Sequence, residues 1–257
     1  MISGDYSLTW LTTEVFAELV ESDRSIVVLL PVGSVEPHGP HLTLLTDTVI
    51  SKGAAQFAAD KLLEENVQPL IAPAVPYGVT DCAAEFDGAI SIPAKALTAY
   101  LNAVVEGFLS NGVDHVCLVN NHLEPAHDAA VRKAIEGFEP GRASVACPLT
   151  RRWARTLSAE FKSGQCHAGR YETSLMLALE ADGVVEEVRA ELPEVAVSLS
   201  DKLRDGITDF AEMGMERAYA GDPARATAAE GRELLEKLAD MIVTEVLEGL
   251  EEAGAIE

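Results

Sequence analysis

The run 26-IVVLLP-31 carries no polar residue on either face of an extended strand. A strand with one face in water alternates apolar and polar side chains. One that is apolar on both faces must be covered on both. Similar short runs recur at 69-PLIAPAV-75, 89-AISIP-93, 115-HVCLVN-120 and 143-ASVAC-147. Longer segments with helical spacing lie between and beyond them, roughly at 13–22, 47–64, 94–110, 126–137, 170–181 and 224–252. The segment 94-AKALTAYLNAVVEGFLSNG-112 ends in Asn-Gly, a helix stop signal. Buried strands separated by helices predict an α/β fold with a mostly parallel sheet covered on both faces. No repeat, low-complexity tract or linker divides the chain, so residues 1–257 are expected to form a single domain. The stretch 183–222 is the least regular. It reads either as a peripheral loop with short helices or as a lid or oligomer contact.

Composition narrows the function classes. The formal charge of −23, from 42 acidic against 19 basic residues, opposes nucleic acid and anionic membrane surfaces. It is equally consistent with a solubility or salt adaptation. No apolar run reaches the roughly 18 residues that a membrane-spanning helix needs. The N-terminus lacks the basic-then-apolar pattern of a signal peptide, which makes the cytoplasm the expected compartment. Cys82, Cys117, Cys147 and Cys166 form no CxxC pair and are expected as reduced thiols.

Ligands of open parallel sheets bind beyond the carboxyl ends of the strands, and three polar clusters fall there. Glu36, His38 and Asp47 follow the first strand. Asn120, Asn121, His122 and Glu124 follow 115–120, and His167 and Glu172 lead into a helix after 143–147. Glu36 and His38 are two apart, as are His122 and Glu124. In extended backbone each pair offers a carboxylate and an imidazole to one volume. Three carboxylates and two imidazoles suffice for two divalent cations, with Asp47 placed to give one oxygen to each. The oxygen and nitrogen set suits zinc, manganese or iron(II). Each residue also has a structural reading. Asp47 can cap the helix it precedes, and Glu124 before Pro125 can sit at a helix N-terminus. Against capping alone stands the fact that four of the six histidines share strand-end loops with acids. His115, opening a strand, reads as structural. His41 and His127 read as supports or pocket wall.

The run PVGSVEPHGPHLTLLTD over 31–47 resembles the signature of the creatininase family, with Gly33, Ser34, Glu36, His38, Gly39, His41, Leu42, Thr46 and Asp47 in register. Tyr77-Gly78 with 86-FDGAISIP-93, then 167-HAGRYETS-174 and 221-GDPARATAAEG-231, are similar to further family motifs in the same order. The resemblance spans roughly 26–235. It implies a three-layer α/β/α sandwich, a site for two divalent metal ions, zinc or manganese, and hydrolysis of C–N bonds in amides. By the same carry-over Glu36, Asp47 and His122 hold one ion, and His38, Asp47 and Glu124 the other. His167 and Glu172 match positions for proton transfer and for substrate or metal support. A homo-oligomer follows as well, creatininase itself being hexameric.

Departures from creatininase argue against creatinine as substrate. Leu123 stands where it has an aromatic residue, Pro125 where it has Asn, and Ser163 where it has a tryptophan. Arg170 replaces the usual Glu and reads as a receptor for a carboxylate or phosphate, or as a salt-bridge partner of a nearby Glu. His41, Leu123 and Arg170 are accordingly the candidate substrate contacts. The expected chemistry is attack on an amide carbonyl by a hydroxide held between two metal ions. His167 donates the proton to the leaving nitrogen, Glu172 orients it and Glu124 assists deprotonation of the water. A small-molecule amide, cyclic amide or formamide stands first as substrate. A cofactor-precursor peptide, or a non-catalytic role in binding metal or a metabolite, stands as the alternative.

Overall fold

In the computed structural model, which describes residues 6–256, four parallel strands form one sheet. They are β1 (Ile26–Val32), β2 (Gln68–Ile71), β3 (His115–Asn120) and β4 (Ala143–Ala146), in the order β2-β1-β3-β4. Leu29 pairs with Ile71 on one side and with Cys117 on the other, which sets the register across the centre. Helices cover both faces. On one lie α2 (Thr46–Glu64), α7 (Arg170–Leu179) and α11 (Ala228–Glu252). On the other lie α1 (Thr13–Val20), α3 (Ala94–Ser110) and α4 (Pro125–Ala134).

The all-apolar strands follow from this layering. Val27, Leu29, Cys117 and Val119 point into the core with α2, α7 and α11, while Val28, Leu30, Val116 and Leu118 point into the core with α3 and α4. All eight are essentially inaccessible to solvent. Burial of each large side chain contributes about 1.5–3 kcal/mol, which polar substitutions on either face would forfeit.

The connections create the crevice that matters for function. From β1 the chain leaves towards β2 through α2, on one face. From β3 it leaves towards β4 through α4, on the other. The sense of winding therefore reverses between β1 and β3, and the loops beyond their carboxyl ends diverge to leave a cleft. Gly33 permits the close approach of α2 to the end of β1, since a Cβ there would lie 2.7 Å from the Thr48 backbone nitrogen.

Two expectations about the strands are corrected. The segment 89–93 is not a strand. It crosses the loops at the carboxyl end of the sheet, where Ile90 N–H donates to Val35 O and Ile92 N–H to Gly78 O. The run 69–75 is regular only to Ile71, because Pro73 has no N–H to continue a ladder, although Val75 still bridges to Val32. Helix boundaries shift less. The last helix starts at Ala228 rather than 224 because Thr227 caps it by accepting from Glu230 N–H.

The irregular stretch 183–222 holds α8 (Glu186–Arg189), α9 (Leu199–Arg204) and α10 (Phe210–Met213), tied back by an antiparallel bridge between Val195 and Gly221. Two further short helices, α5 (Arg151–Ala154) and α6 (Ala159–Ser163), follow β4. Among the described residues no helix is long and apolar enough to cross a membrane.

Helix α11 packs against α7 through Gly231, where a Cβ would stand 1.8 Å from the Ser174 carbonyl oxygen. Gly231→Ala is expected to force these helices apart and cost about 1–3 kcal/mol. Urea unfolding checks this as a lower midpoint at unchanged slope.

Candidate metal centre

The loop after β1, the first turn of α2, the loop after β3 and the first turn of α7 converge at the β1–β3 cleft. Asp47 lies at their meeting point, 1 % exposed. Its Oδ1 is 3.1 Å from His38 Nε2 and its Oδ2 is 3.0 Å from His122 Nδ1. The capping alternative for Asp47 does not describe this geometry. Leu45 occupies the N-cap of α2 without a side-chain bond, and Asp47 turns inward. Glu36 Oε2 is also 3.0 Å from His122 Nδ1, and Glu172 Oε2 is 3.6 Å from His38 Nε2.

Backbone carbonyls fix which imidazole nitrogens face the centre. His38 Nδ1–H donates to Glu36 O at 2.9 Å and His122 Nε2–H to Val79 O at 2.7 Å. Each ring therefore turns its other nitrogen to the carboxylates, the supporting arrangement that orients metal-binding histidines. Glu36 Oε2 and Asp47 Oδ2 are fully buried and meet only the imidazole of His122, whose Nδ1 is 3.0 Å from each. Buried carboxylates that converge in this way need positive charge among them, carried by protons on the imidazoles or by metal ions that replace those protons. The residues present thus fit divalent metal ions. Two groups of ligand atoms sharing Asp47 lie close enough to hold one ion each: Glu36, Asp47 and His122, and His38, Asp47 and Glu172. Glu36, His38 and His167 form a third such group.

The electrostatics carry the same message. Burial opposes charge on His38, yet Asp47, Glu172 and Glu36 outweigh it and push the imidazole up to about 10. His122 is likewise raised well above the ordinary value, Glu36 and Asp47 overcoming the penalty of burial. Burial, with Asp47 and Glu36 nearby, pushes Glu172 up to about 8. The cluster as a whole draws positive charge.

The remaining predicted residues separate. Glu124 occupies the N-cap of α4, with Pro125 following, but its carboxylate turns to the loop before α3. There it accepts Asp81 N–H at 3.2 Å and Cys82 N–H at 3.1 Å. It faces the cleft beside the ligand cluster, and burial raises its pKa. The pairing of Glu124 with His38 and Asp47 is therefore not what the structure brings together; Glu172 takes that place. His167 lies against His38 and Phe210, with ring centroids 4.5 and 4.6 Å away. Its Nε2–H donates to Pro37 O, and burial lowers its pKa to about 4.

Arg170 is corrected as a substrate contact. It points away from the cleft and its Nε–H donates to Glu230 Oε2 at 2.5 Å, the salt bridge that stood as the other reading. His41 is buried behind the cleft, its Nε2 2.9 Å from the Thr173 hydroxyl. Leu123 does line the cleft. His127 supports His122: it accepts Val79 N–H at its Nδ1, and the two rings meet edge to face at 4.6 Å. His115 is structural as expected, held by Gly141 O and Ser144 Oγ.

A cavity of about 540 Å³ opens from this cluster. Its apolar walls include Leu149 and Phe161, and Leu199, Leu203 and Phe210 from the irregular stretch. The stretch 183–222 thus forms part of the pocket wall. Sequence reasoning also missed Arg151, Arg155 and Lys162, which line the same cavity. A signal for them existed: 151–162 holds Arg151, Arg152, Arg155 and Lys162, four of the 19 basic residues in twelve positions. At Ala168, beside His167, the backbone adopts a left-handed φ of 51° while its N–H donates to Glu172 Oε2 at 2.7 Å. Such strain persists where surrounding contacts over-determine it, as happens at functional sites.

The molecule is thus a parallel α/β/α sandwich with a buried carboxylate–imidazole cluster, a candidate metal centre, at its switch point. The sequence match agrees: the family model "Creatininase: Creatinine amidohydrolase" matches residues 9–246, and the chain belongs to the creatininase family. It is 33 % identical to the mycofactocin precursor peptide peptidase of Mycobacterium tuberculosis, over 90 % of this chain and 87 % of that protein. It is 28 % identical to the creatinine amidohydrolase of Pseudomonas putida, over 77 % of this chain and 81 % of the relative. The solved structure "Creatininase Mn" shares the fold at a TM-score of 0.72 and 20 % identity, covering 95 % of this chain and 98 % of that one.

Two outcomes follow. Asp47→Ala is expected to abolish binding of two divalent ions per chain, measured by elemental analysis of protein purified without chelator; a variant that still held two would contradict the shared role of Asp47. Burial also lowers the pKa of His41 to about 4. The native state then refuses a proton that the unfolded chain accepts below about 6.5, so stability falls as pH drops from 6.5 towards 4. In the metal-free protein the urea midpoint of His41→Gln should therefore rise relative to that of the unaltered chain as pH falls over that range.

Proposed function

We propose that this protein is a hydrolase dependent on two divalent cations, zinc or manganese, that cleaves an amide C–N bond in a short peptide. Glu36, Asp47 and His122 hold one ion, and His38, Asp47 and Glu172 the other. The observation that carries the peptide reading is the cavity. At about 540 Å³ it has the size of a pocket for an extended ligand, and its apolar walls suit amino-acid side chains. The M. tuberculosis relative acts, by name, on a precursor peptide, which supports the same reading. A small-molecule amide stood first on sequence grounds. Its anionic variant relied on Arg170, which is engaged elsewhere by Glu230.

Divalent cations in this cluster supply charge that polarises the scissile carbonyl and lowers the pKa of water from 15.7 towards about 7. The chain's own residues do the rest. Glu124, held by the Asp81 and Cys82 amides at the cleft, takes the proton released on attack and returns it to the leaving nitrogen. His167 is less suited to that donation, being neutral with its Nε2–H committed to Pro37 O. It instead holds one wall of the site between His38 and Phe210. Leu123, Phe161 and Phe210 exclude bulk water from the reacting bond.

A panel of short peptides, cyclic amides, formamides and creatinine, assayed with the metal-loaded protein, tests this. Peptide cleavage is expected, lost with chelator and restored by manganese or zinc. Glu124→Gln should lower kcat about 10²–10⁴-fold while both metal ions are retained. Turnover of a cyclic amide or formamide with no peptide cleaved would overturn the peptide reading.

A further inference from the structure

The cavity has two electrostatic regions. Its floor is the buried cluster of Glu36, Asp47, His122 and Glu172. Its mouth carries Arg151, Arg155 and Lys162, all three solvent-exposed. Arg151 and Arg155 are four apart across α5 and so share a face. Arg152 turns the other way, giving both terminal nitrogens to Glu248 at 2.7 Å and stacking on Trp153. Lys162 reaches the same cavity from α6. Among the described residues none of these three cations has an acidic partner, although the chain has 42 acids for 19 bases. The carboxylates that line the cavity are those of the floor and Glu124, so among the described residues none competes for the cations at the mouth. The cavity wall also holds Leu149, Ala154, Phe161 and Leu203, of which Phe161 is buried, Ala154 and Leu203 half-buried and Leu149 exposed.

We propose that Arg151, Arg155 and Lys162 form a receiving site for a carboxylate that the substrate carries beyond an apolar group next to the scissile bond. The inference deepens the amide-hydrolase reading of this site and rests on it. Guanidinium groups bind carboxylates with paired, charge-assisted hydrogen bonds. In a strongly acidic protein, cations at the mouth of a low-dielectric cleft also focus a local field that draws anions inward. The apolar stretch then sets the spacing between carboxylate and reacting amide. The carboxylate is either a free peptide C-terminus or an acidic side chain.

Binding of three probes to the metal-loaded protein, by calorimetry with each probe shown intact afterwards by mass spectrometry, tests the inference by affinity: N-acetylphenylalanine, its amide, and N-acetylphenylalanyl-glutamate with its terminus amidated. At least one carboxylate probe is expected to bind about tenfold or more tightly than the neutral amide, with the advantage shrinking as salt screens the exposed mouth. Preference for the first carboxylate assigns a free terminus, and preference for the last an acidic side chain. R151Q/R155Q should bring the ratio near one, whereas R152Q, which removes a single charge on the outward face, should preserve it. Circular dichroism shows whether each variant is folded, and K162Q gives a single-site version of the test. Equal binding of all three probes to the unaltered protein overturns the proposal. So does a preference that survives R151Q/R155Q, because the carboxylate would then sit on the metals. If the arginine-dependent preference is present but no peptide is cleaved, the peptidase reading fails and the carboxylate site stands.

Discussion

The contact on which the rest of the site depends is the Asp47 carboxylate between His38 and His122. It joins the loop after β1 to the loop after β3 across the point where the winding of the sheet reverses. A carboxylate this deeply buried is costly unless cations and hydrogen bonds compensate it. Glu36 adds to the same negative field instead of relieving it, and burial together with that field pushes Glu172 towards its neutral form. The arrangement therefore trades stability for a strong, preorganised demand for positive charge, one that the donor set fits divalent ions to meet.

Around this contact the main chain does much of the positioning. The carbonyls of Glu36 and Val79 hold His38 and His122 with their other nitrogens turned inward to the carboxylates. The carbonyl of Pro37 holds His167, and the Ala168 amide holds Glu172. The Val79 peptide is bound on both sides, with His122 on its carbonyl and His127 on its N–H. Main-chain groups are the same whatever the residue, which is why none of these supports was visible as a motif. The irregular stretch 183–222 works differently: α9 and α10 contribute apolar wall, leaving the acids and imidazoles at the floor.

Legibility in the sequence was uneven for identifiable reasons. Strand 26–31 was clear because burial on both faces leaves no polar position in the run, and 115–120 because its polar residues, His115 and Asn120, stand only at its two ends. The segment 89–93 has the same composition but is not a strand, because its backbone bonds to the Val35 and Gly78 loops. Glu36, His38, Asp47 and His122 were legible because acids and histidines were concentrated at strand ends. Arg170 was legible only as a pair of alternatives, since the position of Glu230 sixty residues away decides between them.

The sequence by itself determined that the sheet is parallel and covered on both faces, and that a cation-seeking set of side chains lies beyond its carboxyl edge. Both follow from residue type and local spacing, which survive without knowledge of the long-range contacts. Tertiary structure alone decided that Glu172, and not Glu124, stands beside His38 and Asp47. It also decided that Arg151 and Arg155 face the cleft while Arg152 and Arg170 turn away. The direction of a loop or short-helix side chain depends on which distant backbone amides and carboxylates are within reach, and no spacing along the chain encodes that.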